Sequence, residues 1–301
     1  MNQAPRAWTL RPGCVFDLSR PRVMAILNVT PDSFSDGGVL TSAGDAADAA
    51  KRAADEGADM LDVGGESTRP GAARIPAAEQ IDRVVPAIEA IRRAGVDVPV
   101  SIDTTLASVA RAALDAGADA INDVSAGTED DEMLPLAAER GCGIILMHRL
   151  RAPDQDAYSD RYERAPEYTD VVADVRTALG DSLARATAAG IDPASVVLDP
   201  GLGFGKSVEQ NLELIRRTGE IVSLGRPVLS GISRKSFVGR VSLGRDSDPS
   251  ERLEGSLALG VVHLLAGARL FRVHDAGAHA RALSAAWAAL PHATAQGPTP
   301  A

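Results

Sequence analysis

Cysteine and aromatic residues are scarce in this chain of 301 residues. Its two cysteines, Cys14 and Cys142, are too few for a disulfide framework or a cysteine-based metal site, so we expect reduced thiols in a cytoplasmic protein. No apolar stretch reaches the roughly 20 residues that a membrane span needs. The first residues also lack the apolar core of a secretory signal. We therefore expect no membrane contact.

Positive charge is also in short supply. The formal net charge is −10 at pH 7, whereas a nucleic-acid surface needs a basic field. This balance excludes nucleic acid as an expected partner. Small anionic molecules remain compatible with the chain, provided that cations are concentrated locally.

Eight short apolar runs, each ending in a polar residue, recur along the chain, and Ala-rich helical sequence separates most of them. In (β/α)8 barrels the carboxyl ends of the strands form the active-site face. The pattern predicts an α/β fold, the (β/α)8 TIM barrel, with a doubly wound open sheet as the alternative. The predicted strands are 23–28, 59–65, 98–103, 119–124, 143–148, 195–200, 226–233 and 268–274. The predicted helices are about 43–57, 77–94, 106–116, 131–140, 167–189, 207–222, 250–266 and 277–289.

The chain length suits one barrel domain, which we place at residues 21–290. Residues 1–20 precede it as an extension that is expected to form a small hairpin across the barrel bottom. Residues 291–301 are rich in Pro, Ala and Thr and are predicted to be a disordered tail. The segment 149–166 is a long charged loop after the fifth strand, which we expect to be mobile.

Two long polar loops follow the first two strands. They read NVTPDSFSDGG (28–38) and GGESTRPGA (64–72), and their turn-forming composition suggests lids over the barrel mouth. A third Gly-rich stretch, DPGLGFGKS (199–207), is neither a P-loop nor a dinucleotide fingerprint, because its glycines have the wrong spacing.

Lysine usage gives a sharper signal. The chain has three lysines against 28 arginines, and Lys206 and Lys235 both follow barrel strands. We predict a site role for Lys235, whereas Lys206 is either a site residue or an ordinary surface lysine. His148, at the end of the fifth strand, is likewise either a site residue or structural.

Polar residues at the ends of other strands suggest what the site binds. Arg272 and His274 lie two positions apart on the last strand and therefore share a face, where a cation pair could bind phosphate or pyrophosphate. Asp103, Asn122 and Asp199 end three apolar strands, and this ring of acceptors suits a flat heterocycle rich in N–H donors. The alternative is that these residues brace the barrel.

Together these segments resemble the dihydropteroate synthases, the pterin-binding barrel enzymes of folate synthesis. The resemblance covers about residues 15–280. It departs after the fifth strand, where many members of the family continue MHM with a Gly-Thr-Pro turn and this chain reads LMHRLRAPDQDAYSDRY. The matching segments, in the family's order, are ILNVTPDSFSDGG, DVGGESTRPG, SID, INDV, LMH, LDPGLGFGK, GISRKSFVG and RVH.

The resemblance implies a role for each matching position. It implies Asp103, Lys235, Arg272 and His274 as the catalytic residues, and Asn28 as the protein ligand of a Mg²⁺ cofactor. The implied pterin site is Asp103, Asn122, Met147, Asp199 and Lys235, with Phe204 or Ile121 also packing on the ring. The implied pyrophosphate site is Asn28, Thr68, Arg272 and His274. The implied p-aminobenzoate site is Phe34, Thr68, Arg69, Pro70, Phe204, Arg234 and Ser236.

The implied enzyme is a transferase that joins 6-hydroxymethyl-7,8-dihydropterin pyrophosphate to p-aminobenzoate, through an SN1-like loss of pyrophosphate. The family also implies a homodimer and inhibition by sulfonamides. Two rival readings stay open at the level of sequence. One is a pterin-binding methyltransferase domain, and the other is a paralogue that binds pterin without catalysis.

Overall fold

The computed structural model describes residues 5–29 and 43–290. The predicted tail 291–301 and most of the first predicted lid lie outside these residues. The strands are β1 (Ala7–Arg11), β2 (Cys14–Asp17), β3 (Arg22–Asn28), β4 (Met60–Gly64), β5 (Val100–Asp103), β6 (Ala120–Asp123), β7 (Gly143–Met147), β8 (Val196–Asp199), β9 (Leu229–Ser230) and β10 (Leu270–Val273). The α-helices are α1 (Ala43–Asp55), α2 (Ala77–Arg93), α3 (Ala107–Asp115), α4 (Met133–Arg140), α5 (Val171–Ala188), α6 (Val208–Arg216), α7 (Thr218–Val222), α8 (Ser236–Leu243), α9 (Leu253–Ala266) and α10 (Ala276–Ala288).

Strands β3 to β10 form a parallel barrel in the order β8-β7-β6-β5-β4-β3-β10-β9. The barrel closes between β8 and the chain before β9, where Leu198 N donates to Pro227 O at 2.9 Å and Leu198 pairs with Val228. The predicted (β/α)8 barrel is therefore confirmed, and the open sheet is excluded. None of the helices within the described ranges has the length and hydropathy needed to cross a membrane.

Two predicted elements differ from the structure. The strand predicted at 226–233 is reduced to Leu229–Ser230, in part because Pro227 has no N–H to donate to a neighbouring strand. The helix predicted at 207–222 is split into α6 and α7. At the break, the Thr218 hydroxyl donates to Leu214 O at 2.8 Å and Arg217 leaves the helical conformation. Helix α8 was not among the eight predicted helices, because it is short and lies within a βα loop.

The N-terminal hairpin of β1 and β2 packs under the barrel, as expected. Trp8 is fully buried there, and its indole Nε1 donates to Ser195 O at 2.8 Å. Its cluster includes one inward residue from each of seven barrel strands: Met24, Met60, Ala120, Ile145, Val197, Leu229 and Leu270. The hairpin thus supplies the apolar floor of the barrel.

We expect Trp8→Ala to destabilise the protein by about 3–5 kcal/mol, since it empties this floor. Chemical denaturation measures the loss. Val15, on the other strand of the hairpin, is 60% exposed, and its replacement by Ala should change stability by no more than about 0.5 kcal/mol. Because the floor is opposite the strand carboxyl ends, substrate affinities should not change. A loss under about 1 kcal/mol for Trp8→Ala would contradict this role.

Candidate active site

Side chains two positions beyond the apolar floor form the polar layer of the barrel interior. Successive residues of a strand point to opposite faces, so residues i and i+2 share the same side. Asp62 follows Met60, Asn122 follows Ala120, and the same step produces three further inward residues. These are Met147 after Ile145, Asp199 after Val197 and Arg272 after Leu270.

This layer opens into a cavity of about 420 Å³. The cavity is lined by fourteen of the fifteen residues proposed from sequence: Asn28, Thr68, Arg69, Pro70, Asp103, Asn122, Met147, Asp199, Phe204, Arg234, Lys235, Ser236, Arg272 and His274. The fifteenth, Phe34, lies outside the described residues. Ile121 does not line the cavity, because it points outward into the core between the sheet and the helices. The suggestion that Ile121 packs on a bound ring is therefore wrong.

Arg272 is held between two buried carboxylates. Its Nε donates to Asp62 Oδ2 and its Nη2 to Asp103 Oδ2, both at 2.6 Å. Burial raises the pKa of Asp103, and the Arg272 guanidinium opposes that rise. Burial lowers the pKa of Arg272, but the two carboxylates outweigh it and the net shift is upward. A permanent cation is thus fixed at the centre of the polar layer.

Asp62 is a buried acid of the polar layer that is absent from the sequence-based assignments. It is fully buried, accepts from Ser101 Oγ at 2.5 Å and from Asn122 Nδ2 at 3.1 Å, and thereby links three strands. The sequence does contain a signal for Asp62, because the run DMLDVGG carries this acid among its apolar residues. The glycines and the loop that follow the run are the more conspicuous features.

His274 does not form a cation pair with Arg272, contrary to the sequence interpretation. Burial, with Arg234 and Arg272 nearby, lowers the pKa of His274 well below its usual value. The Ser233 hydroxyl accepts from His274 N at 3.2 Å and lies 3.1 Å from Nδ1. If that hydroxyl donates to Nδ1, Nε2 carries the proton. His274 is then a neutral hydrogen-bond donor for an anion.

The side chains of Lys235 and Phe204 lie against each other in the wall of the cavity. The Lys235 ammonium lies 3.9 Å from the centre of the Phe204 ring, within cation–π range. Burial and the neighbouring Arg272 lower the pKa of Lys235 to about 8, against the opposing effects of Asp199 and Asp103. Its ammonium is therefore a proton donor whose charge changes within the range of ordinary assays.

Lys206 is neither a cavity residue nor a surface lysine. It is fully buried, and its ammonium donates to Phe204 O at 2.8 Å and Gly201 O at 3.0 Å. It also lies 3.0 Å from His148 Nδ1, and burial and Lys206 together lower the pKa of His148 to about 3. His148 is thus a neutral acceptor, and both residues fix the loop that carries Phe204.

Glycine is required at Gly201 in that loop. Its φ is +65°, and a Cβ there would lie 1.8 Å from the backbone oxygen of His148. The tight turn also lets Gly201 N donate to Asp199 Oδ1 at 2.7 Å. Burial raises the pKa of Asp199, while the Gly201 hydrogen bond and Lys235 lower it, so the loop favours the ionised carboxylate.

Arg234 is not available to a substrate as a free cation, because its guanidinium already has an ionic partner. Its Nε and Nη2 form a bidentate pair with the Asp275 carboxylate, at 2.9 and 2.6 Å. Its φ of +58° is in the left-handed region, and the next residue, Lys235, lines the cavity. Arg234 lines the cavity, but its guanidinium is engaged with Asp275.

Segment 149–166 contacts the second lid loop. Arg149 forms an ion pair with Glu129, which also pairs at 2.8 Å with Arg74, two residues beyond the lid loop. Gly71 N of the lid donates to Pro153 O at 2.9 Å. Burial raises the pKa of Glu129, but hydrogen bonds from Arg74 and others lower it to about 2 overall, so the link persists across the neutral range.

We expect Arg149→Met to loosen this lid and to raise the KM for the substrate that the lid covers about 5-fold, as loss of a largely buried ion pair worth about 1 kcal/mol would. Steady-state kinetics with each substrate varied in turn measures the effect. The KM for a substrate that binds on the polar layer should stay constant, because the polar layer is untouched. Equal increases for both substrates would contradict a role confined to the lid.

The described residues contain no cluster of three or more His, Cys, Asp or Glu side chains suited to a metal. Mg²⁺ commonly binds through one or two protein oxygens plus substrate phosphates. Asn28 presents such an oxygen in the cavity, beside Gly64 and Asp103. The residues present therefore fit a Mg²⁺ ion that is carried largely by a phosphorylated substrate.

Comparison with known proteins identifies the family. The model of pterin binding enzymes matches residues 24–274. The dihydropteroate synthase of Synechocystis sp. is 43% identical over 262 residues, covering 87% of this chain and 88% of that protein. A probable bifunctional folylpolyglutamate synthase/dihydropteroate synthase of Haloferax volcanii is 47% identical over 88% of this chain, which spans only 30% of that longer protein.

Solved structures agree with this relationship. Xanthomonas albilineans dihydropteroate synthase with 4-aminobenzoic acid has a TM-score of 0.83 and 42% identity, covering 95% of this chain and 100% of that one. The Yersinia pestis enzyme with a sulfonamide drug has a TM-score of 0.85 and 40% identity, covering 94% and 98%. The chain therefore belongs to the pterin-binding enzymes. Within that family it belongs to the dihydropteroate synthases, which are transferases of folate synthesis.

Proposed function

We propose that this chain condenses 6-hydroxymethyl-7,8-dihydropterin pyrophosphate with p-aminobenzoate, giving 7,8-dihydropteroate and pyrophosphate. The observation that carries the proposal is the ring of Asp103, Asn122, Asp199, Lys235 and Arg272 around one cavity. Related enzymes have been solved with 4-aminobenzoic acid, with 7,8-dihydropteroate and with 6HMPPP, which supports these substrates for this chain.

The pterin is proposed to lie on the polar layer. Asp199 and Asn122 offer acceptors for the ring's N–H groups, and Lys235 can donate to its carbonyl or ring nitrogen. Met147 belongs to a small apolar cluster with Phe204 and supplies an apolar surface for the ring. Unpaired buried polar groups are costly, so this set discriminates in favour of a heterocycle with matching donors and acceptors.

The pyrophosphate group is proposed to meet Asn28, Thr68, Arg272 and His274. Arg272 offers positive charge and His274 a neutral donor. A Mg²⁺ ion bound by Asn28 and the phosphate oxygens would add charge neutralisation of the leaving group.

The p-aminobenzoate is proposed to bind between the lids and the carboxyl ends of the strands. Thr68, Arg69 and Pro70 come from the second lid, and Phe204 and Ser236 from the opposite wall. Phe34 of the first lid keeps its sequence-based assignment to this subsite. Arg234 is removed from direct binding because Asp275 occupies its guanidinium.

The proposed chemistry is SN1-like. The bond between the pterin methylene and the pyrophosphate oxygen breaks first, and its electron pair leaves with the pyrophosphate. Asp103 stabilises the resulting cation electrostatically, and closed lids exclude water from it. The amine nitrogen then forms the C–N bond, and its extra proton passes to the released pyrophosphate. Direct displacement is the alternative, and both routes balance without any redox partner.

The test is product formation by the purified chain. Dihydropteroate and pyrophosphate should appear in equal amounts, only with both substrates, and activity should fall on chelation and return with Mg²⁺. Exchange of bridging and non-bridging ¹⁸O in recovered pterin pyrophosphate, without p-aminobenzoate, would support the SN1 route. Pterin binding without any turnover would favour a non-catalytic paralogue, and methyl transfer from a folate would favour the methyltransferase reading.

Three further proposals concern inhibition, location and assembly. Sulfonamides should compete with p-aminobenzoate, as the sulfonamide complex of the Yersinia pestis enzyme suggests. A cytoplasmic location is proposed from the scarcity of cysteine, and Cys142 is a buried thiol whose pKa burial raises to about 12.

A homodimer is proposed through α8 and α9, where Val241, Leu243, Val262 and Leu265 are at least 40% exposed. Sedimentation analysis tests that assembly.

A further inference from the structure

Segment 149–166, where the chain departs from the family's sequence pattern, is bound to the loop that carries Phe204. Asp156 Oδ2 accepts from Gly205 N at 2.7 Å. Leu150 packs closely on the same turn, so that a Cβ at Gly205 would overlap the Leu150 side chain. The backbone next to Phe204 is therefore fixed by a hydrogen bond and by packing, and both come from this segment.

Lys206 holds the same loop through its buried ammonium. Its Nζ donates to two carbonyl oxygens of the loop, at 2.8 and 3.0 Å, and lies 3.0 Å from His148 Nδ1. Burial lowers the pKa of Lys206 to about 7, whereas Asp199 and Asp156 raise it and favour the charged form. Asp156 thus acts on the loop twice, through its hydrogen bond to Gly205 and through its charge on Lys206.

The Phe204 ring carries the position of this loop into the cavity. It forms an apolar cluster with Val124 and Met147, and the Lys235 ammonium lies 3.9 Å from its centre. Cation–π attraction is effective only within about 6 Å of the ring centre. A shift of the loop backbone would therefore change the contact between the ring and the ammonium.

We propose that Asp156 and Lys206 are positioning residues for Phe204, and that segment 149–166 thereby sets the affinity of the cavity for the arylamine substrate. The inference rests on the proposed function, which assigns Phe204 to the p-aminobenzoate subsite. Neither Asp156 nor Lys206 is among the described residues that line the cavity. Each acts on the substrate only through the Phe204 ring.

The first experiment observes the ring itself and needs no substrate. The purified full-length chain is labelled with 4-fluorophenylalanine, and Phe204→Leu identifies the Phe204 signal in the ¹⁹F NMR spectrum by its loss. We expect Asp156→Ala and Lys206→Met each to shift this signal by more than a line width, because the distance between the ring and the Lys235 ammonium changes. The signal of Phe16, identified in the same way and located in the hairpin under the barrel, should stay in place.

A double-variant cycle then separates positioning from general support of the fold. We expect Lys206→Met to raise the KM for p-aminobenzoate about 3- to 10-fold, the scale of one lost aromatic contact. In the Phe204→Leu background the same change should have no further effect, because the ring through which it acts is gone. Lys51→Met makes the same chemical change at an exposed lysine, and it should alter neither the KM nor the Phe204 signal.

The outcomes are distinct. A shifted Phe204 signal together with non-additive KM values supports the assignment. An unmoved Phe204 signal, an equal shift of the Phe16 signal, or KM increases that multiply in the double variant would overturn it. If Lys206→Met does not fold, Asp156→Ala carries the same test. A wild-type chain that forms no product would overturn the proposed function, while the ¹⁹F signals would still decide whether the two residues position Phe204.

Discussion

Replacing Arg272 by Met is expected to destabilise the protein by about 3–5 kcal/mol, because the change leaves Asp62 and Asp103 buried without their shared counter-ion. Both carboxylates accept from this guanidinium at 2.6 Å in the native protein. Chemical denaturation measures the loss. Removing a positioned donor from the leaving group should also lower kcat about 100- to 1,000-fold, measured in steady-state assays.

The stability loss should depend on pH with a defined sign. Burial already raises the pKa of Asp103 in the folded state, and removal of Arg272 raises it further. Between the unfolded and folded pKa values the folded state binds the extra proton, so its stability falls as pH rises. Arg272→Met should therefore lose more stability at pH 8 than at pH 6.

A matched control is Arg92→Met. Arg92 pairs with the buried Asp119 at 2.6 Å, but neither residue lines the cavity. This variant should lose stability and keep its catalytic constants. If Arg272→Met were as active as Arg92→Met, the central place of Arg272 in the reaction would be contradicted.

Replacing Asp199 by Ala is expected to weaken binding of the pterin substrate by about 2–4 kcal/mol, which is about 30- to 1,000-fold. The reason is that N–H donors of the ring would enter a buried site without an acceptor. The free Oδ2 of Asp199 can serve this role, because Oδ1 is occupied by Gly201 N at 2.7 Å. Isothermal titration calorimetry with the pterin substrate measures the effect.

Asp199→Asn separates the ring contact from the loop contact. Its amide oxygen can still accept from Gly201 N, so the turn should survive, while the second acceptor is replaced by a donor. We expect Asn to weaken pterin binding nearly as much as Ala does. Unchanged affinity in Asp199→Ala would refute the assignment of this carboxylate to the ring.

Much of the barrel could be predicted because its signal is local. Each strand is a short apolar run, and Asp103, Asn122 and Asp199 end their runs at the carboxyl side, where parallel strands bring them together. Strand β9 was overestimated because Pro227 and the following turn limit its pairing. That limit depends on contacts with other segments of the chain, which the apolar pattern of the sequence does not show.

The remaining features depend on contacts between distant segments. Lys206 was left open as a possible surface residue, yet three carbonyl oxygens and His148 surround its ammonium. Asp62 is recognised only when Arg272, 210 positions later, is seen to bind it. Arg234 is seen to be engaged only when its partner Asp275, 41 positions later, is found beside it.

A crystal structure of this chain with 7,8-dihydropteroate tests the central claim most directly. We expect the pterin edge within hydrogen-bond distance of Asp199 and Asn122, and the benzoate carboxylate next to Ser236. A ligand bound in the reverse direction, or outside the cavity that Arg272 and Lys235 line, would contradict it.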